Sequence, residues 1–254
     1  ELTNKVTKVT QFCFEPSLDY VTVKIPRWDM EKFKNADHVI GSSMKSVGEV
    51  MGIGRTFEEA YQKAIRMLDL DFEGAVSTDI SQNKSLDIKN SLANPTPNRI
   101  FIIAEALYRG FSVEKIYKLT GIDPWFLYRI KNIVDEEKEL VKNKSLNKNS
   151  LIHLKQLGFS DKRIGNLVNK KGLEIRNIRE KHGIKPSVFQ IDTLAGEFPA
   201  QTNYLYMTYN ASHNDITPSG KSSVIVLGSG PYRIGSSVEF DWTSVAAINA
   251  LKKH

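Results

Sequence analysis

Near its carboxyl end, the sequence contains a glycine-rich segment with the composition of an anion-binding turn. Gly228, Gly230 and Gly235 follow a run of apolar residues and precede a predicted helix. Backbone N–H groups at the start of a helix bind phosphate readily. The segment lacks the third glycine of the dinucleotide-binding fingerprint, because Arg233 occupies its position. Two interpretations follow, nucleotide binding and a tight structural turn.

Two charged residues in and after this segment are candidates for function. Arg233 places a guanidinium within a glycine-rich turn, where it is suited to contact a small anion. Glu239 lies three residues after Ser236, which is the spacing of a capping box. For Glu239, the sequence leaves helix capping and a functional role equally open.

No other set of residues predicts catalysis or metal binding. The five histidines and the single cysteine, Cys13, stand apart from one another and from acidic partners at metal-ligand spacing. No Ser/His/Asp or Cys/His arrangement is discernible. We therefore predict no catalytic residue and no metal ligand among them. One cysteine cannot form an internal disulfide, which fits a reducing compartment.

The amino-terminal segment is predicted to begin as two extended runs. Asp19–Ile25 alternates apolar and polar residues as a half-buried strand does, and Pro26 is expected to end it. Met44–Ile53 is a second extended run. Gly48 and Gly52 within it mark a bulge or a close approach of backbone or ligand.

A helix and a polar segment follow. Thr56 and Glu59 have the spacing of a capping box, and apolar residues continue at helical intervals. Residues 73–96 are rich in Asn, Ser, Asp and Lys, and we expect a surface connector there.

The middle of the chain is predicted to be helical throughout. Thr96 and Pro97 form an N-cap and first-turn pair, and Gly110 is expected to end the helix. Asp123 with Pro124 starts a longer helix. The apolar stripes of the two helices are Ile100, Ile103, Ala104 and Leu107 in the first, and Phe126, Leu127, Ile130 and Val134 in the second.

An internal repeat occurs within this helical region. Gly110–Leu119 matches Gly158–Leu167 at an offset of 48 residues. Two similar helix-turn-helix units are therefore expected to pack into one small domain.

The helical region is also basic. Residues 97–185 contain 19 Lys and Arg against 10 Asp and Glu, a net charge of +9, whereas the whole chain carries +6. This charge favours phosphate contact and leaves a nucleic-acid-binding helix-turn-helix protein as an alternative function. The region lacks an obvious recognition helix that presents Arg, Asn and Gln together.

The last segment resembles the start of a parallel α/β domain. Ser222–Leu227 has the composition of a buried strand, and a helix is predicted from about Ser237 to Lys253. One strand and one helix leave the strand without partners, so we expect the chain to be a piece of a longer protein. The longest apolar runs, 100–107 and 224–227, are too short to cross a membrane, and the first thirty residues show no signal peptide.

Motifs in the same order along almost the whole chain resemble the large (synthetase) component of carbamoyl-phosphate synthetase. Trp28 and Ser236-Ser237 resemble the eukaryotic fused forms more than the bacterial ones. The motifs are Phe14–Tyr20, Lys24–Trp28, Met44–Met51 with Gly54–Thr56, Ile122–Leu127, Leu157–Asp161, Gln190–Thr193, Thr202–Tyr206 and Gly228–Asp241.

The resemblance implies a mixed fold. An all-α oligomerization domain would be flanked by the C-terminal edge of an ATP-grasp α/β domain and by the first β-α unit of a second parallel α/β (pre-ATP-grasp) domain. The implied parts are the end of the first, carboxyphosphate-forming half (1–72), a connector (73–96), the helical oligomerization domain (97–189), an extended linker (190–221) and the start of the second half (222–254).

The resemblance also implies a reaction. Members of that family use two ATP, bicarbonate and ammonia drawn from glutamine. The first half forms carbamate through carboxyphosphate, and the carbamate travels through an internal tunnel to the second half for a further phosphorylation. The residues that match its lining are Met44, Glu49, Arg233, Ser237 and Glu239. The family often has Gly at the position of Ser237.

The ligands for ATP and Mg²⁺ (or Mn²⁺) in that family lie outside the sequence, so the chain alone is expected to be inactive and to bind no cofactor. K⁺ is a further candidate ion for the whole enzyme. The implied partners are a glutaminase, as a subunit or a fused domain, and further copies of the chain through the helical domain, with no nucleic acid and no membrane. The implied location is cytoplasmic, or mitochondrial where a transit peptide precedes Glu1. Pyrimidine and arginine biosynthesis both stay open.

Overall fold

The computed structural model describes residues 2–76, 80, 85–217 and 223–253. It is rich in helices and carries two small antiparallel sheets, which confirms the mixed, mainly helical character expected from the sequence. Its elements are β1 (Val21–Arg27), β2 (Gly48–Gly54), α1 (Phe57–Met67), α2 (Ile88–Ala93), α3 (Arg99–Tyr108), α4 (Val113–Thr120), α5 (Pro124–Asn143), α6 (Lys148–Gln156), α7 (Asp161–Leu167), α8 (Gly172–Lys181), β3 (Ser187–Gln190), β4 (Leu205–Thr208) and α9 (Val238–Leu251).

Strands β1 and β2 form the first sheet. They pair antiparallel, with Val21 opposite Gly54 and Arg27 opposite Gly48. The predicted end of β1 at Pro26 is wrong, since the strand continues to Arg27. Each strand of a two-stranded sheet has one unpaired edge, where the missing N–H of a proline is tolerated. The second extended run starts later than predicted, at Gly48.

Helix α1 packs directly on β2. A Cβ at Gly52 would lie 2.2 Å from the carbonyl oxygen of Ala60 and 2.7 Å from the backbone nitrogen of Ala64, so only glycine admits this contact. The prediction that Gly52 marks a close approach of the backbone is confirmed. Thr56 caps α1 as predicted, because its hydroxyl accepts a hydrogen bond from the N–H of Glu59 at 3.3 Å.

The segment 73–96, predicted to be a polar surface connector, contains helix α2 in its described part. Leu92 is fully buried and Ile88 nearly so. Two apolar residues four positions apart supply the buried face of this short helix, and so small a signal does not stand out in a polar segment. Residues 77–79 and 81–84 of the predicted connector lie outside the described residues.

Helix α3 differs from its prediction in start and burial. It begins at Arg99, whose N–H donates to the carbonyl oxygen of Thr96 at 3.0 Å, so Thr96 belongs to a preceding turn and not to the cap. Every residue from Phe101 to Leu107 is buried, where the sequence predicted one stripe. This run lies inside the helical region, and the one charged residue in it, Glu105, pairs with Arg109.

Helix α5 starts as predicted. The Asp123 carboxylate accepts a hydrogen bond from the N–H of Trp125 at 2.8 Å. Of the predicted stripe, Leu127, Ile130 and Val134 are buried, whereas Phe126 is half exposed. The Phe126 ring lies against Phe57 of α1, with ring centroids 5.5 Å apart.

The predicted internal repeat is confirmed. Helices α3, α4 and α5 form one unit and helices α6, α7 and α8 a second, and α4 and α7 begin 48 residues apart. Each of these two helices follows a glycine in the left-handed region, with φ of +87° at Gly110 and +88° at Gly158. The central isoleucine of each helix, Ile116 or Ile164, is fully buried.

Helix α1 is docked on the second helical unit. A Cβ at Gly158 would lie 2.9 Å from the Cα of Glu59. Gln62 donates to the carbonyl oxygen of Leu157 and Arg66 to that of Gly158, both at 2.8 Å. The first sheet is thereby joined to the helical repeat through one helix.

Strands β3 and β4 form the second sheet, with Ser187 opposite Thr208. Strand β4 lies wholly within the predicted linker 190–221. The Thr208 hydroxyl donates to the Glu59 carboxylate at 2.8 Å, and the Asn210 amide donates to the same oxygen at 3.0 Å. This part of the predicted linker is therefore fastened to α1.

The predicted strand Ser222–Leu227 is not observed. Residues 223–227 have no regular secondary structure, and Leu227 is 86% exposed. A strand needs a neighbour for its N–H and C=O groups, and no described strand lies beside this segment. Ser222 itself lies outside the described residues. The predicted helix from about Ser237 is confirmed as α9.

Candidate functional site

The glycine-rich segment lies against strand β2. A Cβ at Gly48 would be 2.4 Å from the carbonyl oxygen of Tyr232, so a residue with a side chain could not occupy position 48 without displacing this backbone. The prediction that Gly48 marks a close approach is confirmed, and the approaching group is the backbone of the glycine-rich segment. Two regions about 180 residues apart in sequence thus meet, and we call the place where they meet the β2–turn surface (residues 48–51 and residues 228–239).

Arg233 lies in a tight turn within this surface. The N–H of Arg233 donates to the carbonyl oxygen of Ser236, and the N–H of Ser236 donates back, both at 3.0 Å. Gly235 between them has φ of +89°, a conformation that suits glycine. The Arg233 guanidinium forms an ion pair with Asp69 at 2.9 Å. Its half-exposed position keeps it accessible to a small anion.

Glu49 and Met44 belong to the amino-terminal part of the chain, and in the described residues no hydrogen bond or ion pair joins either of them to the glycine-rich segment. Glu49 is exposed on β2, next to Gly48, and forms an ion pair with Lys24 of β1. Met44 precedes β2 and is 89% exposed. Two half-exposed ion pairs, Lys24–Glu49 and Asp69–Arg233, thus include residues of this surface.

Ser237 and Glu239 lie at the start of α9. The Glu239 carboxylate accepts a hydrogen bond from the N–H of Ser237 at 3.0 Å, so Glu239 does act in capping. Its partner is Ser237 and not Ser236, which the sequence spacing had suggested. The hydroxyl of Ser237 makes no capping bond.

Tyr232 adds a contact between the turn and α9. Its hydroxyl donates to the carboxylate of Asp241, and this hydrogen bond raises the pKa of Tyr232 above its ordinary value. The sequence does not single out Tyr232, Asp69 or Asp29. Tyr232 lies against Gly48, and Asp69 pairs with Arg233. The Asp29 carboxylate accepts the N–H of Ile234, so all three depend on contacts between segments that are distant in the chain. For Tyr232 the sequence gives one signal, because both Tyr232 and its partner Asp241 stand in the Gly228–Asp241 motif.

The glycine-rich turn lacks the strand that a phosphate-binding turn of the strand–turn–helix type requires, since residues 223–227 form none. Among the described residues, no three His, Cys, Asp or Glu side chains are grouped as metal ligands would be. In the same part of the chain, no helix combines the length and apolar character of a membrane span. In the described residues the geometry thus presents a charged surface with half-exposed ion pairs and no group of metal ligands.

Sequence comparisons identify the family of the chain. Residues 49–183 match the profile described as "Carbamoyl-phosphate synthetase large chain, oligomerisation domain". This match covers more than half of the sequence. The chain belongs to the carbamoyl-phosphate synthetase large-chain family. Residues 220–254 also match the "Carbamoyl phosphate synthase preATP-grasp domain" profile.

Relatives of the carbamoyl-phosphate synthetase family match over nearly the whole chain. The mitochondrial "Carbamoyl phosphate synthase arginine-specific large chain" of Neurospora crassa is 52% identical over 99% of this chain and 21% of its own length. The "Carbamoyl phosphate synthase large chain" of Sulfolobus acidocaldarius is 47% identical over 100% of this chain and 24% of its own. The "Multifunctional protein CAD" of Squalus acanthias is 49% identical over 99% of this chain and 11% of its own length. The chain thus spans between about a tenth and a quarter of the length of these relatives.

Proposed function

We propose that the chain is the central, non-catalytic region of a carbamoyl-phosphate synthetase, where it joins the two synthetase halves and contributes to the passage for carbamate. The whole enzyme would make carbamoyl phosphate from bicarbonate, ATP and ammonia supplied from glutamine. Support comes from the match of nearly the whole chain to part of much longer synthetases. By itself the chain is expected to be inactive.

Within this proposal, each segment has a role. Residues 1–72 are the end of the first ATP-grasp half, residues 73–96 connect it to the helical domain, and residues 97–189 form the oligomerization domain. Residues 190–221 link this domain to the second half, which starts at 222 and belongs to the pre-ATP-grasp domain. The profile match from 49 to 183 includes part of the proposed first half, in agreement with the docking of α1 on the second helical unit.

The observation that carries the passage proposal is the contact of Gly48 with Tyr232. It brings a strand of the proposed first half against a turn of the proposed second half, and Glu49 and Arg233 are the next residues along the chain from the two that touch. Carbamate is a small anion that is unstable in water, and its route must be shielded and must tolerate negative charge. Met44, Glu49, Arg233, Ser237 and Glu239 are proposed to line this route.

The proposal extends to the partners and cofactors of the whole enzyme. It would bind ATP with Mg²⁺ or Mn²⁺, and K⁺ as a further ion, through residues outside this chain. It would work with a glutaminase subunit or domain and associate through the helical region. A cytoplasmic or mitochondrial location is proposed. Pyrimidine and arginine biosynthesis both stay open, because the relatives include an arginine-specific large chain and a multifunctional protein.

The comparisons do not support the nucleic-acid-binding alternative. Much of the positive charge of the helical region is also engaged within the chain. Arg163 pairs with Glu137 in a buried contact, and Lys155 and Arg179 both pair with Asp161. These cations are not free to contact phosphates.

The passage proposal is tested on the full-length synthetase with Arg233→Ala. Removing the guanidinium should lower overall synthesis while both half-reactions continue, namely bicarbonate-dependent ATP hydrolysis and ATP formation from carbamoyl phosphate. Arg176→Ala is the matched control, because Arg176 is an exposed arginine that pairs with Glu180 on the same helix, α8, and lies outside the glycine-rich segment. All three rates should stay normal in this control.

Glu239→Gln separates capping from a role in the passage. Glutamine keeps an acceptor for the N–H of Ser237, so the cost in stability should stay within about 1 kcal/mol. If Glu239 lines the route, overall synthesis falls while the half-reactions persist. Normal rates in both the Arg233 and Glu239 variants, or a joint fall of all three rates in proportion to lost folding, would refute the passage assignment for these residues.

A further inference from the structure

Asp29 is a buried carboxylate at the junction between β1 and the glycine-rich turn. Its side chain is fully buried. One oxygen accepts the N–H of Ile234 at 3.0 Å and the ammonium of Lys32 at 3.0 Å. The other accepts the Nε–H of Arg27 at 3.2 Å. Asp29 therefore links the sheet of the first segment to the backbone of the turn.

The contact reaches the peptide unit that follows Arg233. Because a peptide bond is planar, fixing the N–H of Ile234 fixes the orientation of the whole unit that joins Arg233 to Ile234. The carbonyl group of Ile234 is held as well, since Lys32 donates to its oxygen at 3.1 Å. Both backbone groups of Ile234 are thus bound by Asp29 and its ionic partner.

The same cluster holds the partner of the Arg233 side chain. Arg27, whose Nε binds Asp29, also donates from its terminal nitrogen to the carbonyl oxygens of Leu68 and Asp69. The Asp69 carboxylate then binds Arg233 at 2.9 Å. Asp29 acts on Arg233 by two routes, through the backbone of Ile234 and through Arg27 and Asp69.

Electrostatics favour a charged Asp29. Burial by itself raises the pKa of this carboxyl, but hydrogen bonds from the Ile234 N–H, Lys32 and Arg27 outweigh burial and hold the pKa below its ordinary value. Hydrogen bonds to a charged acceptor are stronger than neutral ones. The three hydrogen bonds that Asp29 accepts, which we call the Asp29 clamp, therefore have a charged acceptor and are in their stronger form at neutral pH.

We propose that Asp29 is a positioning residue for the carbamate passage, which it keeps aligned by holding the Arg233–Ile234 peptide of the second half against strand β1 of the first. This inference rests on the proposed function of the chain. Asp29 is not among the residues proposed to line the passage. Its proposed role is to hold the two halves in a fixed position relative to each other. Lys32 and Arg27 are its partners in this task.

The test compares Asp29→Ala with Asp29→Asn in the full-length synthetase. Asparagine keeps an oxygen acceptor for the Ile234 N–H, whereas alanine removes it. The measured quantity is carbamoyl phosphate formed per ATP hydrolysed, together with both half-reactions. We expect Asp29→Ala to lower this yield about tenfold, since a misplacement of about 1 Å can cost up to a hundredfold, and Asp29→Asn to restore most of it.

Asp37→Ala serves as the control. Asp37 is an exposed carboxylate eight residues further along, which accepts from the Val39 N–H and pairs with Lys45 without touching the turn. Its loss should leave the yield unchanged. If the Asp29 alanine and asparagine variants are equally impaired, or if both half-reactions of Asp29→Ala fall with overall synthesis, positioning by the Ile234 hydrogen bond is refuted.

The outcome also separates this inference from the proposed function. If Arg233→Ala uncouples the enzyme and Asp29→Ala does not, the passage stands and the role of Asp29 is wrong. If neither variant uncouples it, the passage assignment fails, and the inference about Asp29 fails with it.

Discussion

Asp161 occupies a position that the helical repeat fills in two chemically different ways. The offset of 48 residues pairs Asp161 with Val113 and Lys155 with Leu107. In the first unit these positions hold two buried apolar side chains. In the second unit they hold an ion pair with a Lys155 Nζ to Asp161 Oδ1 distance of 2.9 Å, which Arg179 extends at 2.8 Å. One fold thus accommodates an apolar contact and an ionic one at equivalent sites.

Comparison of a single variant with a double variant should reveal this equivalence. Asp161→Val alone leaves the buried Lys155 ammonium without its counter-charge and should lower the free energy of unfolding by about 3–5 kcal/mol. Lys155→Leu with Asp161→Val recreates the pair found in the first unit and should recover most of that loss. Urea unfolding of the two variants measures both effects. A double variant no more stable than the single one would contradict the apolar equivalence.

The same carboxylate predicts a dependence of stability on pH. Although burial raises the pKa of Asp161, the hydrogen bonds and charges of Lys155 and Arg179 lower it below the ordinary 3.8. A lowered folded-state pKa means that the stabilisation is present above 3.8 and is lost as the pH falls through the folded-state value. Asp161→Asn should therefore lose less free energy of unfolding than the parent chain between about pH 5 and pH 3. Parallel losses in both chains would exclude this contribution.

At the scale of elements, the turns before α4 and α7 have the same backbone but different surroundings. Gly110 and Gly158 both have φ near +88°. A Cβ at Gly110 would meet no atom within 4 Å. At Gly158 it would lie 2.9 Å from the Cα and 3.1 Å from the carbonyl oxygen of Glu59 on α1. The second turn therefore also serves as the docking site of α1.

Alanine at each glycine should separate backbone strain from docking. Gly110→Ala should cost about 1–2 kcal/mol, because a side chain disfavours the left-handed conformation. Gly158→Ala should cost clearly more, because it adds a clash with the backbone of α1. Urea unfolding of both variants provides the comparison. Equal costs would mean that α1 is not seated against this turn in solution.

At the scale of the whole molecule, one part of the chain is poorly covered. No residue of α9 is buried, and its large apolar side chains include Trp242 at 74% and Val245 at 55% exposed. The helical repeat, in contrast, contains a contiguous buried core that continues into α1 and the first sheet. Helix α9 is therefore a competing surface from which self-association through the repeat must be distinguished.

We predict that the chain self-associates through the helical repeat. Light scattering at increasing concentration should show a mass above that of the 28.7 kDa monomer. The double variant Trp242→Glu with Val245→Glu, which makes α9 polar, should keep the same mass if the repeat is responsible. A folded chain that is monomeric at high concentration, or a double variant that is monomeric, would rule out association through the repeat.

Local signals in the sequence were sufficient for much of the helical region. The caps at Thr56 and Asp123 depend on one side chain and an N–H two or three residues away, so short spacing predicts them. The repeat was visible as well, because each unit must bury the same isoleucine after the same glycine turn. Family membership also followed from motifs that lie close together in sequence.

Other features depended on contacts between distant segments, and only the tertiary structure decided them. Leu92 is buried because other helices cover it, and residues 223–227 form no strand because no described strand lies beside them. The contact of Gly48 with Tyr232 joins positions 184 residues apart, and the Asp29 clamp spans a similar distance. Composition and residue spacing report interactions between residues that are close together along the chain. Packing, in contrast, brings together residues that are far apart in the sequence.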